Sequence, residues 1–235
     1  MIEKILTPVY RSEYVPIDLN LLELKHTEVK TQEIFKKIIT NSNVIGYGDS
    51  AYVYRNKELM HQYVCKVFSK INIGDINFDE ERKIGNDVSK IFPHDFCTPY
   101  TYAVYPMTTN KSQTIITMVQ DYVNGCTIED ILQNYEKIEV LFSQRQFFEA
   151  LNHMLEVIHF YGIYHRDLHE RNVMVNYKTG MPVIIDWGKS KRFLDKEENP
   201  YLVINSNGTI SEFFTDTENF DNLKKFVSFK LRKYS

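Results

Sequence analysis

At 235 residues, with 43% hydrophobic and 25% charged residues, the chain has the composition of a globular protein long enough to bury a full core. The formal net charge of −3 argues against a dedicated nucleic-acid binder, and no apolar run approaches membrane-spanning length. The N-terminus shows no signal-peptide pattern, and Cys65, Cys97 and Cys126 lack metal-ligand spacing, as expected of reduced residues in a cytosolic compartment.

Pro8 and Pro16 interrupt residues 1–27, which read as an extension packed on the first lobe of the fold. Over residues 28–39, Val29, Ile34, Phe35, Ile38 and Ile39 recur at helical spacing behind Thr27, a candidate N-cap. Residues 44–54 place Gly46 and Gly48 between strand-like apolar segments, with Ala51 and Val53 following. Residues 62–68 read as a strand that carries Lys66 among apolar neighbours, a costly place for a cation unless it is paired or holds an anion. A helix is expected over 78–91, with Glu81, Ile84, Val88 and Ile91 on one stripe and Gly85 weakening it locally. Residues 96–105 and 112–122 are rich in β-branched and aromatic side chains, and they complete an expected five-stranded antiparallel sheet. Ser143 is placed to cap a helix reaching about Tyr161, with Phe147, Leu151, Leu155 and Ile158 on its buried face. His153 and His159 on that helix read as packing or surface residues.

Residues 163–188, IYHRDLHERNVMVNYKTGMPVIIDWG, carry the chemistry. Apolar runs at 173–175 and 182–185 flank a turn-forming stretch and predict a hairpin. That hairpin carries Asn172 and Asp186 to one end of two adjacent strands, where two oxygen-bearing side chains suit Mg²⁺. Asp167, on the loop before, is free to orient a hydroxyl nucleophile. Beyond it, residues 201–214 predict a second hairpin about the turn 205–208. Residues 219–234 predict a helix with Phe220, Leu223, Phe226 and Val227 inward and a basic C-terminal half.

The segment HRDLHERN resembles the protein-kinase catalytic loop H-R-D-L-x-x-x-N, and Asp186-Trp-Gly stands in the place of D-F-G. Residues 46–53 resemble the kinase glycine-rich loop, with Ala51 at the third glycine position, and VCKV resembles the strand that bears the nucleotide-binding lysine. The resemblance implies an α+β, two-lobed kinase-like fold: an N-terminal extension at 1–42, an N-lobe at 43–123 and a shortened C-lobe at 124–235. It implies ATP and Mg²⁺ as cofactors and γ-phosphoryl transfer to a protein Ser or Thr. By the same resemblance Asp167 orients or accepts the hydroxyl proton, and Asn172 and Asp186 bind the metal. Lys66 holds the α/β-phosphates and Glu81 holds Lys66, with Glu80 the runner-up. Gly46, Gly48, Ala51 and Val53 cover the nucleotide; Asp121 and Val123 offer backbone groups to adenine, and Gln120 guards that pocket. It leaves open whether Asp221 braces the catalytic loop. No A-P-E motif follows Gly188, so activity is expected to be constitutive or gated by a protein partner, as in bacterial effectors that work in a host cytosol. The expected partners are a protein substrate and an activating protein, with no nucleic acid and no membrane span, and the chain is expected to be a monomer. Two alternatives remain. His169 in place of the usual Lys, with D-L-H and I-D-W, is similar to aminoglycoside and choline kinases; a nucleotide-binding scaffold without catalysis is the other.

Overall fold

Alternating apolar side chains recur over residues 43–121, and most of the described backbone there is strand. The computed structural model describes residues 43–47, 51–55, 63–68, 78–92, 97–108, 114–134, 143–193, 200, 202–204, 210–212 and 215–232. In chain order the elements are β1 (Asn43–Tyr47), β2 (Ala51–Arg55), β3 (Tyr63–Phe68), α1 (Phe78–Ile91), β4 (Thr101–Thr108), β5 (Thr114–Asp121), β6 (Gly125–Thr127) and α2 (Ile128–Asn134). They continue with α3 (Gln144–Phe160), β7 (Ile163–Tyr164), β8 (Val173–Asn176), β9 (Pro182–Ile184), β10 (Lys191–Arg192), β11 (Leu202–Ile204), β12 (Ile210–Glu212) and α4 (Asp216–Arg232). The helix expected over 28–39, Gly48 and the turn at 205–208 lie outside the described residues. The chain divides into two compact units, with boundaries after Arg82, Pro99 and Tyr122.

The first unit holds the expected five-stranded antiparallel sheet, in the order β1-β2-β3-β5-β4. Central β3 is buried on both faces, so its apolar run is nearly continuous, and Lys66 sits in register with Val53 and Met118. Strand β4 begins at Thr101, later than the expected residue 96. Pro99 has no N–H to donate, and the Tyr100 N–H is taken by the Asp121 carboxylate at 3.0 Å. Phe68 meets Phe78 edge-to-face, with centroids 4.7 Å apart, and that contact docks the first turn of α1 on β3. Lys66 lies two residues before Phe68 on the same strand face, and Glu81 one helical turn after Phe78 on the same helix face.

In the second unit the core gathers Ile84 and Val88 of α1, the buried face of α3, the strands β8 and β9, and Phe220, Leu223 and Val227 of α4. Helix α3 starts where Ser143 Oγ accepts the Gln146 N–H, as its sequence predicts. Helix α2 was not expected. Its start is a capping box: Thr127 Oγ1 accepts the Asp130 N–H, and Asp130 Oδ2 accepts the Thr127 N–H. The same device, Thr215 with Glu218, starts α4 three residues earlier than the apolar stripe suggested. Phe226 is 43% exposed rather than inward, because the buried stripe runs through 220, 223 and 227 and leaves 226 to one side. The paired strands β11 and β12 form the hairpin expected over 201–214.

Gly85 is explained by packing. A Cβ there would stand 3.2 Å from Trp187 Cδ1, and the indole is buried and held by its Nε1–H donating to Thr98 Oγ1 at 2.8 Å. Gly85→Ala is therefore expected to lower the free energy of unfolding by about 1 kcal/mol in urea titration. Overpacking of about 1–3 kcal/mol outweighs a gain of about 1 kcal/mol in helix propensity.

Candidate active site

The hairpin β8–β9 pairs Val173 with Ile184, and the Ile185 N–H donates to the Asn172 carbonyl at 2.9 Å. This extension of the ladder brings Asn172 and Asp186 to the same end of two adjacent strands. Asn176 Oδ1 closes the intervening turn by accepting the N–H of Lys178, and Gly180 takes φ +69°.

Asp167 is drawn to the same place. The Asn172 Nδ2–H donates to the Asp167 carbonyl at 2.9 Å and lies 3.3 Å from Asp167 Oδ2. Lys189 Nζ donates to Asp167 Oδ1 at 2.9 Å, and His169 Nε2 lies 3.8 Å from Oδ2. Burial pushes the Asp167 carboxyl up, but the hydrogen bonds and charge of His169 and Lys189 outweigh it and hold the pKa at about 2. A carboxyl with so low a pKa remains ionised near neutral pH.

Arg166 and Asp186 are non-glycine residues at positive φ, 65° and 63°, a conformation that costs on the order of 1 kcal/mol each and survives only when its surroundings over-determine it. The surroundings are hydrogen bonds to buried groups. Asp216, at the first position of α4 and fully buried, accepts the Arg166 N–H on Oδ1 at 2.8 Å and the His165 N–H on Oδ2 at 2.8 Å. His159 Nε2 is 3.0 Å from Oδ2 and its ring stacks on Tyr164, so this histidine packs as expected and braces the loop as well. Asp221, the residue considered for this role, is exposed; the helix starts earlier than expected and Asp216 takes the place. His165 extends the lock. Its Nε2–H donates to the Ile185 carbonyl at 3.1 Å, and its Nδ1 accepts the Asp167 N–H at 3.3 Å, so one buried imidazole ties the loop to the strand end before Asp186.

In the first unit, Lys66 Nζ donates to Glu81 Oε1 at 2.9 Å, and both side chains are buried. Glu80, the alternative, is half-buried and faces elsewhere on the helix. Ala51 is buried and Val53 half-buried on β2. At Gly46 an added Cβ would meet nothing closer than Val53 Cβ at 3.7 Å, so the protein's own packing does not demand glycine there. Gln120 Nε2–H donates to Thr101 Oγ1, which turns its side chain toward β4. The Asp121 N–H donates to the Tyr100 carbonyl at 3.0 Å. Val123 is buried just beyond β5. The three cysteines are free and buried, and burial pushes the Cys65 thiol up to about 12, which makes it a core residue and no nucleophile.

Sheet, paired lysine, catalytic-type loop and metal-type hairpin are together those of one class of protein, and the chain belongs to the protein kinase domain family, whose model matches residues 39–215. It is 29% identical over 149 residues to CBL-interacting serine/threonine-protein kinase 1 of Arabidopsis thaliana, across 62% of this chain and 32% of that one. It is 24% identical over 166 residues to the putative ribosomal protein S6 kinase alpha-1 of Caenorhabditis elegans, across 67% and 20% of the two chains. The chain thus spans a third or less of the length of these relatives. Among solved structures, the Cydia pomonella Granulovirus kinase, PK-1, is similar with a TM-score of 0.45 and 17% identity, over 71% of this chain and 60% of that one.

Three participants were missed in the sequence. Asp216 was signalled by the Thr215–Glu218 capping box, which marks the true start of α4. His159 had no local signal, since its partner lies 57 residues away. Lys189 directly follows the Asp-Trp-Gly triplet, but only the fold shows where it points.

Proposed function

We propose that the chain is an ATP- and Mg²⁺-dependent protein kinase that transfers the γ-phosphoryl group to a Ser or Thr hydroxyl. The observation that carries this reading is the convergence of Asp167, Asn172 and Asp186 at the end of one hairpin, with Asp167 ionised and aimed by its neighbours. The donor set suits Mg²⁺: one carboxylate and one amide oxygen leave room for phosphate oxygens, as that ion requires. When bound, the metal neutralises charge on the phosphates as the transferred group departs. Asn172 and Asp186 hold it, and Asp167 orients the acceptor hydroxyl. Lys66, kept in place by Glu81, takes the α/β-phosphates. Gly46 with Gly48, Ala51 and Val53 lets backbone N–H groups approach phosphate oxygens, an approach that the space at Gly46 supports. The backbone groups of Asp121 and Val123 receive adenine. The locked positive-φ loop supports constitutive activity or gating by a protein partner over loop phosphorylation, because Asp216 already holds the loop. An effector role in a host cytosol is part of the same reading.

The test is transfer from γ-labelled ATP with Mg²⁺ to dephosphorylated casein, beside an aminoglycoside and choline panel. Wild type is expected to label Ser and Thr, and Asp186→Ala and Lys66→Ala are expected to lose at least about 10²-fold. Label on a small molecule instead replaces the acceptor class with that of a small-molecule phosphotransferase. Nucleotide binding without transfer leaves a scaffold.

A further inference from the structure

The segment that leaves Asp186 runs antiparallel to the segment that enters Asp167. Lys191 pairs with Tyr164 and Arg192 with Ile163, and the Phe193 N–H donates to the Gly162 carbonyl at 2.8 Å. Continuing that register sets Lys189 opposite Arg166 and beside Asp167. The turn between is closed by the N–H and hydroxyl of Ser190, both donating to the Trp187 carbonyl. Further along, Arg192 Nη2 is anchored to Asp87 Oδ2 at 2.9 Å. The backbone therefore places Lys189 where its ammonium reaches the Asp167 carboxylate, at 2.9 Å. The Lys189 side chain is 55% exposed, so the ion pair adds at most about 1 kcal/mol to stability.

His169 stands at the loop position where the resemblance expects a lysine, and its Nε2 lies 3.8 Å from Asp167 Oδ2, farther than the Lys189 ammonium at 2.9 Å. Its Nδ1 accepts the Arg171 N–H at 3.2 Å, and its Nε2 lies 3.1 Å from Asn172 Nδ2. Among the described residues, Lys189 is the ammonium that contacts Asp167.

We propose that Lys189 is a catalytic residue, supplying from the segment after Asp186 the lysine ammonium that the catalytic loop of this chain lacks. The inference rests on the protein-kinase reading above. In the step it serves, the acceptor oxygen bonds to the γ-phosphorus as the bond to the β,γ-bridging oxygen breaks. ADP leaves with that oxygen, and the hydroxyl proton departs by way of Asp167 to water. Lys189 first holds Asp167 Oδ1, then stabilises negative charge on the transferred group beside that carboxylate. A contact made chiefly in the transition state lowers kcat and leaves KM nearly alone when it is removed.

The experiment compares wild type, Lys189→Ala, Lys189→Arg and the double variant Lys189→Ala/His169→Lys with γ-labelled ATP and dephosphorylated casein. A second readout is thermal stabilisation by Mg·ADP with and without aluminium fluoride, which mimics the phosphoryl group in transit. Lys189→Ala is expected to lose about 10²-fold in kcat, with KM for ATP within about threefold. It should keep the stabilisation by Mg·ADP and lose the increment from aluminium fluoride. Lys189→Arg should retain most of the rate, and His169→Lys in the Ala background should recover at least about tenfold, which a purely structural lysine would not permit. An active wild type with an unchanged Lys189→Ala would reduce Lys189 to a surface ion pair, and a faster Lys189→Ala would make it a restraint on Asp167; either overturns the proposal alone. A wild type that neither transfers phosphate nor gains from aluminium fluoride overturns the kinase reading and this inference with it.

Discussion

Asp216→Ala is expected to lower the free energy of unfolding by about 3–5 kcal/mol and to abolish phosphoryl transfer. The carboxylate is fully buried and accepts two backbone N–H groups and the His159 imidazole. Removing it strands the His165 and Arg166 N–H groups in the interior, and it frees Arg166 to leave its positive φ. The loop would relax toward ordinary backbone angles and carry Asp167 away from Asn172. Asp216→Asn is the sharper variant. It keeps the shape, but its amide group can accept at only one of the two positions, so about half the loss is expected. Urea titration followed by circular dichroism measures both.

The pH dependence of stability carries the same signature. Burial pushes the Asp216 carboxyl up, but the bonds from His159 and the His165 backbone hold it below the usual carboxylate range. A carboxyl depressed in the folded protein contributes stability that is present above its unfolded value of about 4 and is lost as pH falls through the folded one. Wild type is therefore expected to lose stability steeply below about pH 4, with Asp167 adding in the same direction. Asp216→Asn should show a shallower fall. Equal slopes in the two proteins would contradict the assignment.

Lys66→Ala is expected to destabilise by about 3–5 kcal/mol, because it leaves the Glu81 carboxylate buried without its cation. The pair as a whole is another matter. Both ions were taken out of water to form it, so the double variant Lys66→Met/Glu81→Leu is expected to unfold within about 1–2 kcal/mol of wild type. That double variant should nevertheless lose phosphoryl transfer, since the side chain proposed to take the α/β-phosphates is gone. Equilibrium unfolding and the labelled-ATP assay, run on the two single variants and the double, separate the effects. A double variant as unstable as Lys66→Ala would mean that the pair is held for the fold rather than for the nucleotide.

How much of the molecule could be read in the chain depends on the range of the forces involved. Local patterning was enough for the sheet strands, for the Ser143 cap, and for the β8–β9 hairpin that brings Asn172 beside Asp186. Period-two alternation, a capping hydroxyl and a turn-forming Asn each act over a few residues. Short-range capping was also present at Thr127 and Thr215, where a box of Thr with an acidic residue three positions on marks helices that the apolar stripe alone places late or overlooks. What only the tertiary structure decided is what distant segments do to one another. Docking of Phe78 on Phe68 brings Glu81, which the helix stripe already favoured over Glu80, against Lys66. Packing of α4 against the loop makes Asp216, not Asp221, the brace and makes His159 its partner. The β7–β10 ladder aims Lys189 at Asp167. In each case the residue types are legible along the chain, but their pairing depends on burial and register between segments far apart in sequence.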